Sequence, residues 1–192
     1  MRVDPIAKVG RWHAAACRAG APLADAMALA TVGRGGAPSV RFVLLKGVEP
    51  RGFVFFTDTH SRKGRELAAR PRASLAFYWD ATGKQVRVEG RIERVTAAEA
   101  DAYWATRPRG SRLAASVSLQ SQPMPSHAWL LARWRRLRHE LGGRAVPRPA
   151  RWGGFRLVPA SIEFWTRGAH RLHLREAYVR GRRGWRRRLL QP

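Results

Sequence analysis

The chain has 192 residues, 45% of them hydrophobic, enough for one ordinary domain with a real core and too many for a disordered chain. With 37 Lys+Arg against 13 Asp+Glu it carries a net charge of +24 and attracts anions; nucleic acid, an anionic membrane surface and phosphorylated small molecules all fit, and charge does not choose among them. A single cysteine, Cys17, excludes an internal disulfide and fits a reducing compartment, and no apolar run approaches the roughly 18 residues of a membrane span, so a soluble cytoplasmic protein is expected.

Asp4 before Pro5 is a helix start, and Ile6, Val9, Trp12, His13 and Ala16 follow at helical spacing until Gly20. The pattern then becomes strand-like over residues 26–32, 38–48, 52–58, 72–80 and 84–95, with GRGG, EPRG and ATGK as turns. Short turns between successive strands imply antiparallel pairing. Between the third and fourth strands Ser61 caps a short helix that Pro71 follows. Thr96 and Glu99 form a capping box for a helix over 97–107, which Pro108 breaks. A third helix puts Leu130, Trp134, Leu137 and Leu141 on one face and stops at Gly142 and Gly143. Strands resume over 153–159, 161–166, 170–180 and 184–190. Two or three helices among strands, with no parallel βαβ alternation, predict a mainly β protein with α. The expected architecture is one antiparallel barrel domain over 1–192 with helices packed outside it.

Thr57, Ser61, Arg62 and Lys63 fall where a strand ends and a helix opens, so free amides, hydroxyls and two cations gather as a phosphate monoester requires. Arg41 and Lys46 flank an apolar strand core, and alternation puts them on opposite faces unless a bulge intervenes. Tyr103, Arg107 and Ser111 recur every four residues, the first two on one helical face, and together can grip a second phosphate. His170 and His173 have no carboxylate neighbour, and no Cys or acid clusters at metal-ligand spacing, so neither a nucleophilic triad nor a metal site is expected. Two phosphate grips without nucleophilic chemistry point to a bound organic cofactor. In the segment HRLHLRE, period two places Arg171, His173 and Arg175 on one face and His170, Leu172 and Leu174 on the other. The arginine-rich run at residues 180–188 reads as a solvated face.

These segments, in this order, resemble the pyridoxamine 5′-phosphate oxidase family of FMN-dependent split-barrel enzymes. The resemblance runs from about Asp4 to Pro192 through AMALATV, PSVRFVLLK, FFTDTHSRKGREL, KQVRVEG, TRPRGS, SVSLQSQ, WGGFRL, ASIEFW and HRLH to the terminal LLQP. It implies FMN as cofactor, held by Arg41, Phe42, Val43, Leu44 and Lys46 on one strand and by Phe56, Thr57, Ser61, Arg62 and Lys63 at the turn. It also implies Gln85 at the flavin ring, Gln120 and Ser121 reaching FMN in the partner subunit, and Trp165 and Arg175 completing the cofactor shell. Lys46, Tyr103, Arg107 and Ser111 would grip the substrate phosphate, with Arg171 and His173 as catalytic residues against the substrate ring. The implied protein is a homodimer with FMN at the subunit interface, oxidising pyridoxamine or pyridoxine 5′-phosphate to pyridoxal 5′-phosphate with dioxygen and releasing hydrogen peroxide.

Three features depart from the family pattern. The family usually carries a longer N-terminal segment over the substrate. Phe56 stands where a tyrosine often precedes the threonine, and Leu174 replaces the aspartate of the family's RLHDR; on the face opposite Arg175, its loss would be absorbed as repacking. The rival reading nearest to hand is a related flavin oxidase of phenazine-precursor type, which also departs at the aspartate. Lys46, Tyr103, Arg107 and Ser111 would have no task on a non-phosphorylated substrate, which favours the phosphate ester over that rival; a basic module binding nucleic acid, supported by the +24 charge, is the weaker alternative.

Overall fold

A computed structural model describes residues 4–192. Helix α1 (Pro5–Arg18) opens where the Asp4 carboxylate accepts the amide of Ile6 at 2.9 Å, and its apolar stripe of Ile6, Val9 and Ala16 is buried. Strands β1 (Ala26–Val32), β2 (Pro38–Leu44), β3 (Gly47–Glu49) and β4 (Gly52–Asp58) lead to α2 (Arg62–Ala69). After β5 (Arg72–Trp79) and β6 (Lys84–Arg94) come three helices, α3 (Ala97–Thr106), α4 (Arg109–Val117) and α5 (His127–Leu141). The chain closes with β7 (Trp152–Thr166), β8 (Leu174–Gly181) and β9 (Gly184–Leu190).

All ladders are antiparallel, in the order β2-β1-β5-β6-β7-β4-β3, with β8 added to β7 and β9 to β8. Strand β7 divides its partners: its first half pairs with β4, its second half with β8, while β6 runs along the other edge. The register slips where the partners change, because Glu89 faces Ser161 but Gly90 faces Pro159, leaving Ala160 as a bulge. Gly90 is required there: a Cβ would lie 2.1 Å from the carbonyl oxygen of Val158.

Alternation in β5 sends Ala73, Leu75, Phe77 and Trp79 into the barrel, where Phe53, Phe55, Phe155 and Phe164 are also fully buried. A smaller core of Ala100, Trp104, Leu113, Val146 and Trp152 fixes α3, α4 and α5 to the open end of β7, with Trp134, Leu137 and Leu141 of α5 packed on it. Strand β2 is an edge that shows Val40, Phe42 and Leu44 to solvent, Phe42 being 77% exposed. Among the described residues no helix is long and apolar enough to cross a membrane.

The antiparallel barrel with outer helices is as expected, but four local expectations are corrected. Residues 38–48 are not one strand: the chain leaves the sheet at Leu45 and Lys46, whose amides turn to the carbonyls of Asp25 and Val54, each at 2.8 Å. The two strands expected over 153–166 are one, because the bulge at Ala160 absorbs Pro159. Pro108 ends α3 as expected, yet it also starts the unforeseen α4, for which its fixed φ is suited. The strand expected from His170 starts only at Leu174, since His170 and Arg171 take φ of 52° and 63°, a left-handed turn incompatible with a strand. Arg171 and His173 therefore do not share a strand face with Arg175. Leu174 does lie opposite Arg175's face, paired with Thr166, but it is 49% exposed, so no core repacking accounts for it.

Candidate active site

A cleft of about 480 Å³ opens between the end of β2, the end of β4 and helices α3 and α4. Lys46, Tyr103, Arg107 and Ser111 all line it, although they come from four local contexts. Arg107 is not on the helical face of Tyr103: it caps α3 with ψ of 142°, and Ser111 sits on the following helix. The cleft wall is a cluster of three near-parallel rings, with the Phe56 centroid 4.2 Å from Tyr103 and 5.3 Å from Trp152, and Tyr103 and Trp152 6.1 Å apart. Phe56 thus aligns Tyr103 through its ring, a role its phenyl fills without a hydroxyl.

Arg107 lies over the Trp152 and Trp104 rings at 4.9 and 5.2 Å, and among the described residues its buried Nη1 has no hydrogen-bond partner. Burial, and secondarily the neighbouring charge of Arg112, lower its pKa. Arg112 Nε is buried and unpartnered as well. Arg112 bears on Arg107 through its charge but does not line the cleft, so within the cleft it is Arg107 Nη1 that offers an unpartnered donor to an anion. Lys46 is held by Asp25, Nζ to Oδ2 at 3.1 Å, and Asp25 also meets His13 Nε2 at 2.9 Å.

The second grip adjoins the first. Ser61 caps α2 by accepting the amide of Gly64, and Lys63 Nζ donates to Thr57 Oγ1 (3.0 Å), Ser61 Oγ (3.2 Å) and Gln120 Oε1 (2.9 Å). Thr57 Oγ1 donates to Gln120 at 3.0 Å, and Ser121 Oγ accepts the amide of Arg62 at 3.1 Å. Gln120 and Ser121, expected at the partner's FMN, thus contact this chain's own turn, and Ser121 holds a left-handed φ of 68° to do so. Burial, then the charge of Arg41, lowers the pKa of Lys63 against the opposing charge of Asp58, and no carboxylate among the described residues hydrogen-bonds its ammonium. This donor set of ammonium, hydroxyls and a helix start fits a phosphate monoester. Phe42, Val43 and Leu44 continue the lining from β2.

Arg41 points elsewhere than expected from its strand alone. Its Nη2 donates to Glu66 Oε2 at 3.1 Å and to Ser39 Oγ at 2.5 Å, and Nη1 donates to Thr31. Glu66 also accepts from Arg62 Nε at 2.8 Å. Burial opposes its ionisation, but hydrogen bonds from Thr31, Arg62, Ser39 and Arg41 bring its carboxyl down to about 2.

The remaining candidates form a separate group. Gln85, Trp165 and Arg175 make one cross-strand row over β6, β7 and β8. Glu163 holds Arg175 at 2.8 Å and also binds Arg87. His173 lies against the Trp165 ring, centroids 4.4 Å apart, and its Nδ1 accepts the amide of Gly168 at 3.2 Å, which leaves the proton of the neutral ring on Nε2. Arg171 precedes it in the left-handed turn. None of this group lines the cleft, and no hydrogen bond among the described residues joins the two groups. Sequence reasoning missed Asp25, Glu66, Arg112, Trp152 and Glu163. Only Arg112, in the run RPRGSR, carried a local signal.

An antiparallel split barrel with a phosphate-gripping helix start at its rim defines the class: this is a flavoprotein of the FMN-binding split-barrel fold, and its cofactor is FMN. Within that class the chain belongs to the pyridoxamine 5′-phosphate oxidase family. Residues 14–140 match the family described as pyridoxamine 5′-phosphate oxidase, and 152–192 match the pyridoxine 5′-phosphate oxidase C-terminal dimerisation region. The chain is 51% identical over 189 residues to a pyridoxine/pyridoxamine 5′-phosphate oxidase of Myxococcus xanthus (strain DK1622), covering 98% of this chain and 92% of that one. A protein of that description from Rubrobacter xylanophilus is also 51% identical, covering 98% and 87%. Among solved structures, PhzG from Burkholderia lata 383 in complex with tetrahydrophenazine-1-carboxylic acid superposes with a TM-score of 0.95 at 36% identity, covering all of this chain and 94% of that one.

Proposed function

We propose that the protein oxidises pyridoxine 5′-phosphate, and pyridoxamine 5′-phosphate with a water that hydrolyses the resulting imine and releases ammonia, to pyridoxal 5′-phosphate, with dioxygen reduced to hydrogen peroxide. The observation that carries this reading is the buried, unpartnered Nη1 of Arg107 in a cleft shared with Lys46, Tyr103 and Ser111. A substrate with no anionic group at that end leaves the donor unsatisfied. Lys63, Thr57, Ser61, Arg62 and Arg41 would hold the phosphate of FMN next to it, and Gln120 and Ser121 brace that turn. When bound, FMN accepts the hydride from the substrate's C4′ and passes the electrons to dioxygen.

The working site on this reading lies in a homodimer. Arg171, His173, Gln85, Trp165 and Arg175 do not reach the cleft of their own chain, but a second copy seated on the exposed Val40–Phe42–Leu44 edge would bring them to it. The match of residues 152–192 to a dimerisation region supports this arrangement. Arg171 and His173 would then fix the substrate ring and exclude water, and orientation rather than a strong base lowers the barrier. The proton released with the hydride leaves to solvent.

A second reading, oxidation of a reduced phenazine precursor, is favoured by the superposition on PhzG and by Leu174. One experiment separates them: purified holoprotein is given each phosphate ester, unphosphorylated pyridoxine, or a reduced phenazine carboxylic acid, and aldehyde or aromatic product is followed with peroxide. Turnover of the esters alone supports the proposal; a yellow protein inert to both esters overturns it.

A further inference from the structure

We propose that Glu66 is a positioning residue for the cofactor: it aims Arg41 and Arg62 at the FMN phosphate before FMN arrives. The proposal rests on the reading that these arginines and Lys63 hold that phosphate. Glu66 lies one helical turn after Arg62 and is only 8% exposed. One carboxylate gathers four donors from three elements: Thr31 Oγ1 of β1 at 2.5 Å, Ser39 Oγ and Arg41 Nη2 of β2 at 2.8 and 3.1 Å, and Arg62 Nε of α2 at 2.8 Å. Each hydroxyl also meets Arg41, and the Leu29 carbonyl accepts from its Nη1, so its guanidinium is fixed by four groups.

That fixation matters because β2 is an edge strand whose neighbouring side chains Val40 and Phe42 stand in solvent. Without Glu66, Arg41 would keep only the neutral acceptors Thr31, Ser39 and the Leu29 carbonyl, with the two hydroxyls no longer oriented by the carboxylate, and part of its ordering would fall to the ligand. A carboxylate near a phosphate also has an opposite effect, since it cancels positive charge. Geometry decides which wins. The carboxylate takes one Nη2 N–H of Arg41 and Nε of Arg62; the remaining Nη N–H groups of Arg41 go to Ser39, Thr31 and the Leu29 carbonyl, so Arg41 keeps its Nε–H and Arg62 its Nη groups for a ligand, while Lys63 makes its three bonds to neutral oxygens only. Alignment is therefore the larger effect, and removing Glu66 weakens FMN rather than strengthening it.

The test compares FMN with riboflavin, which has the same ring and ribityl chain but no phosphate. Full-length wild type, Glu66→Gln and Glu66→Ala are freed of flavin and titrated with each, following quenching of flavin fluorescence. Glu66→Gln is expected to weaken FMN about tenfold and Glu66→Ala further, with riboflavin changed less than about twofold. Unchanged or tighter FMN binding by Glu66→Gln overturns the proposal, as does equal weakening of both flavins, which marks a merely structural role. If Glu66→Ala does not fold, the isosteric Gln variant carries the test alone. Wild type that binds FMN no tighter than riboflavin would instead overturn the phosphate grip itself.

Discussion

Arg107→Met offers the clearest separation between a cation kept for a ligand and one kept for the fold. The substitution retains a long side chain between Trp104 and Trp152 and removes the charge. In the free protein three effects compete. Loss of two cation–π contacts costs about 1–2 kcal/mol, a thioether on the same rings returns about 0.5–1 kcal/mol, and removal of a buried N–H without a partner returns about 1–3 kcal/mol. The variant is therefore expected to range from about 0.5 kcal/mol less stable to about 3 kcal/mol more stable than wild type in urea unfolding. With substrate the sign reverses. A charge-assisted hydrogen bond to phosphate contributes about 1.5–3 kcal/mol, so kcat/KM for pyridoxine 5′-phosphate should fall by about 10- to 150-fold. Most of that belongs in KM, because the phosphate is remote from the reacting carbon and is bound alike in ground and transition states. A variant destabilised by more than about 2 kcal/mol with KM within about twofold of wild type would refute the reasoning and make Arg107 a structural residue.

Three further outcomes follow from the same geometry. Glu66 is held near 2 against an ordinary 4.5, a depressed carboxyl, so its contribution of about 3 kcal/mol is complete above about pH 4.5 and is lost as pH falls toward 2; the stability gap between wild type and Glu66→Gln should narrow over that window, and a gap independent of pH would count against it. Gly90→Ala should cost at least about 3 kcal/mol by denaturant melting, because its Cβ would meet backbone at 2.1 Å rather than a side chain that could yield; near-wild-type stability would show that the bulge shifts freely. Arg171→Leu should lower turnover about 100-fold with FMN retained, whereas Arg62→Leu should weaken FMN about tenfold and spare turnover at saturating FMN; two variants that merely unfold would leave the division of roles without support.

What was legible in the sequence was local. The turn from Thr57 to Lys63 could be read because a strand end, an N-cap and two cations fall within seven residues, and the structure brings Thr57, Ser61 and Lys63 into contact. Tyr103, Arg107 and Ser111 were correctly grouped, but by a helical spacing that Pro108 interrupts; a second helix happens to return Ser111 to the cleft. Pro159 read as a strand end because a bulge that can hold it depends on Gly90, which is distant in sequence. Nothing in the composition of HRLH announces left-handed backbone at His170 and Arg171, so period two ran past its domain there. The contact of Glu66 with Thr31, Ser39 and Arg41 is purely tertiary.

In a chain with 13 acids and 37 basic residues, where the acids go is more informative than where the arginines go. Among the described residues ten acids are in ion pairs, and near the candidate site they aim cations: Asp25 at Lys46, Glu66 at Arg41 and Arg62, Glu163 at Arg87 and Arg175. Hydrogen bonds to carboxylates raise the pKa values of Arg148, Arg167 and Arg175; for Arg156 burial works against the rise, and its two glutamates overcome it. Only Lys63 and Arg107 among the shifted cations move down, both chiefly through burial, and both line the same cleft. Burying a cation without a counter-ion is costly unless a ligand supplies one. Two such cations, one beside the α2 start and one beside the aromatic stack, call for two anions in one cleft. FMN brings a single phosphate; on the proposed function the second anion is the phosphate ester of the substrate, at the Arg107 end.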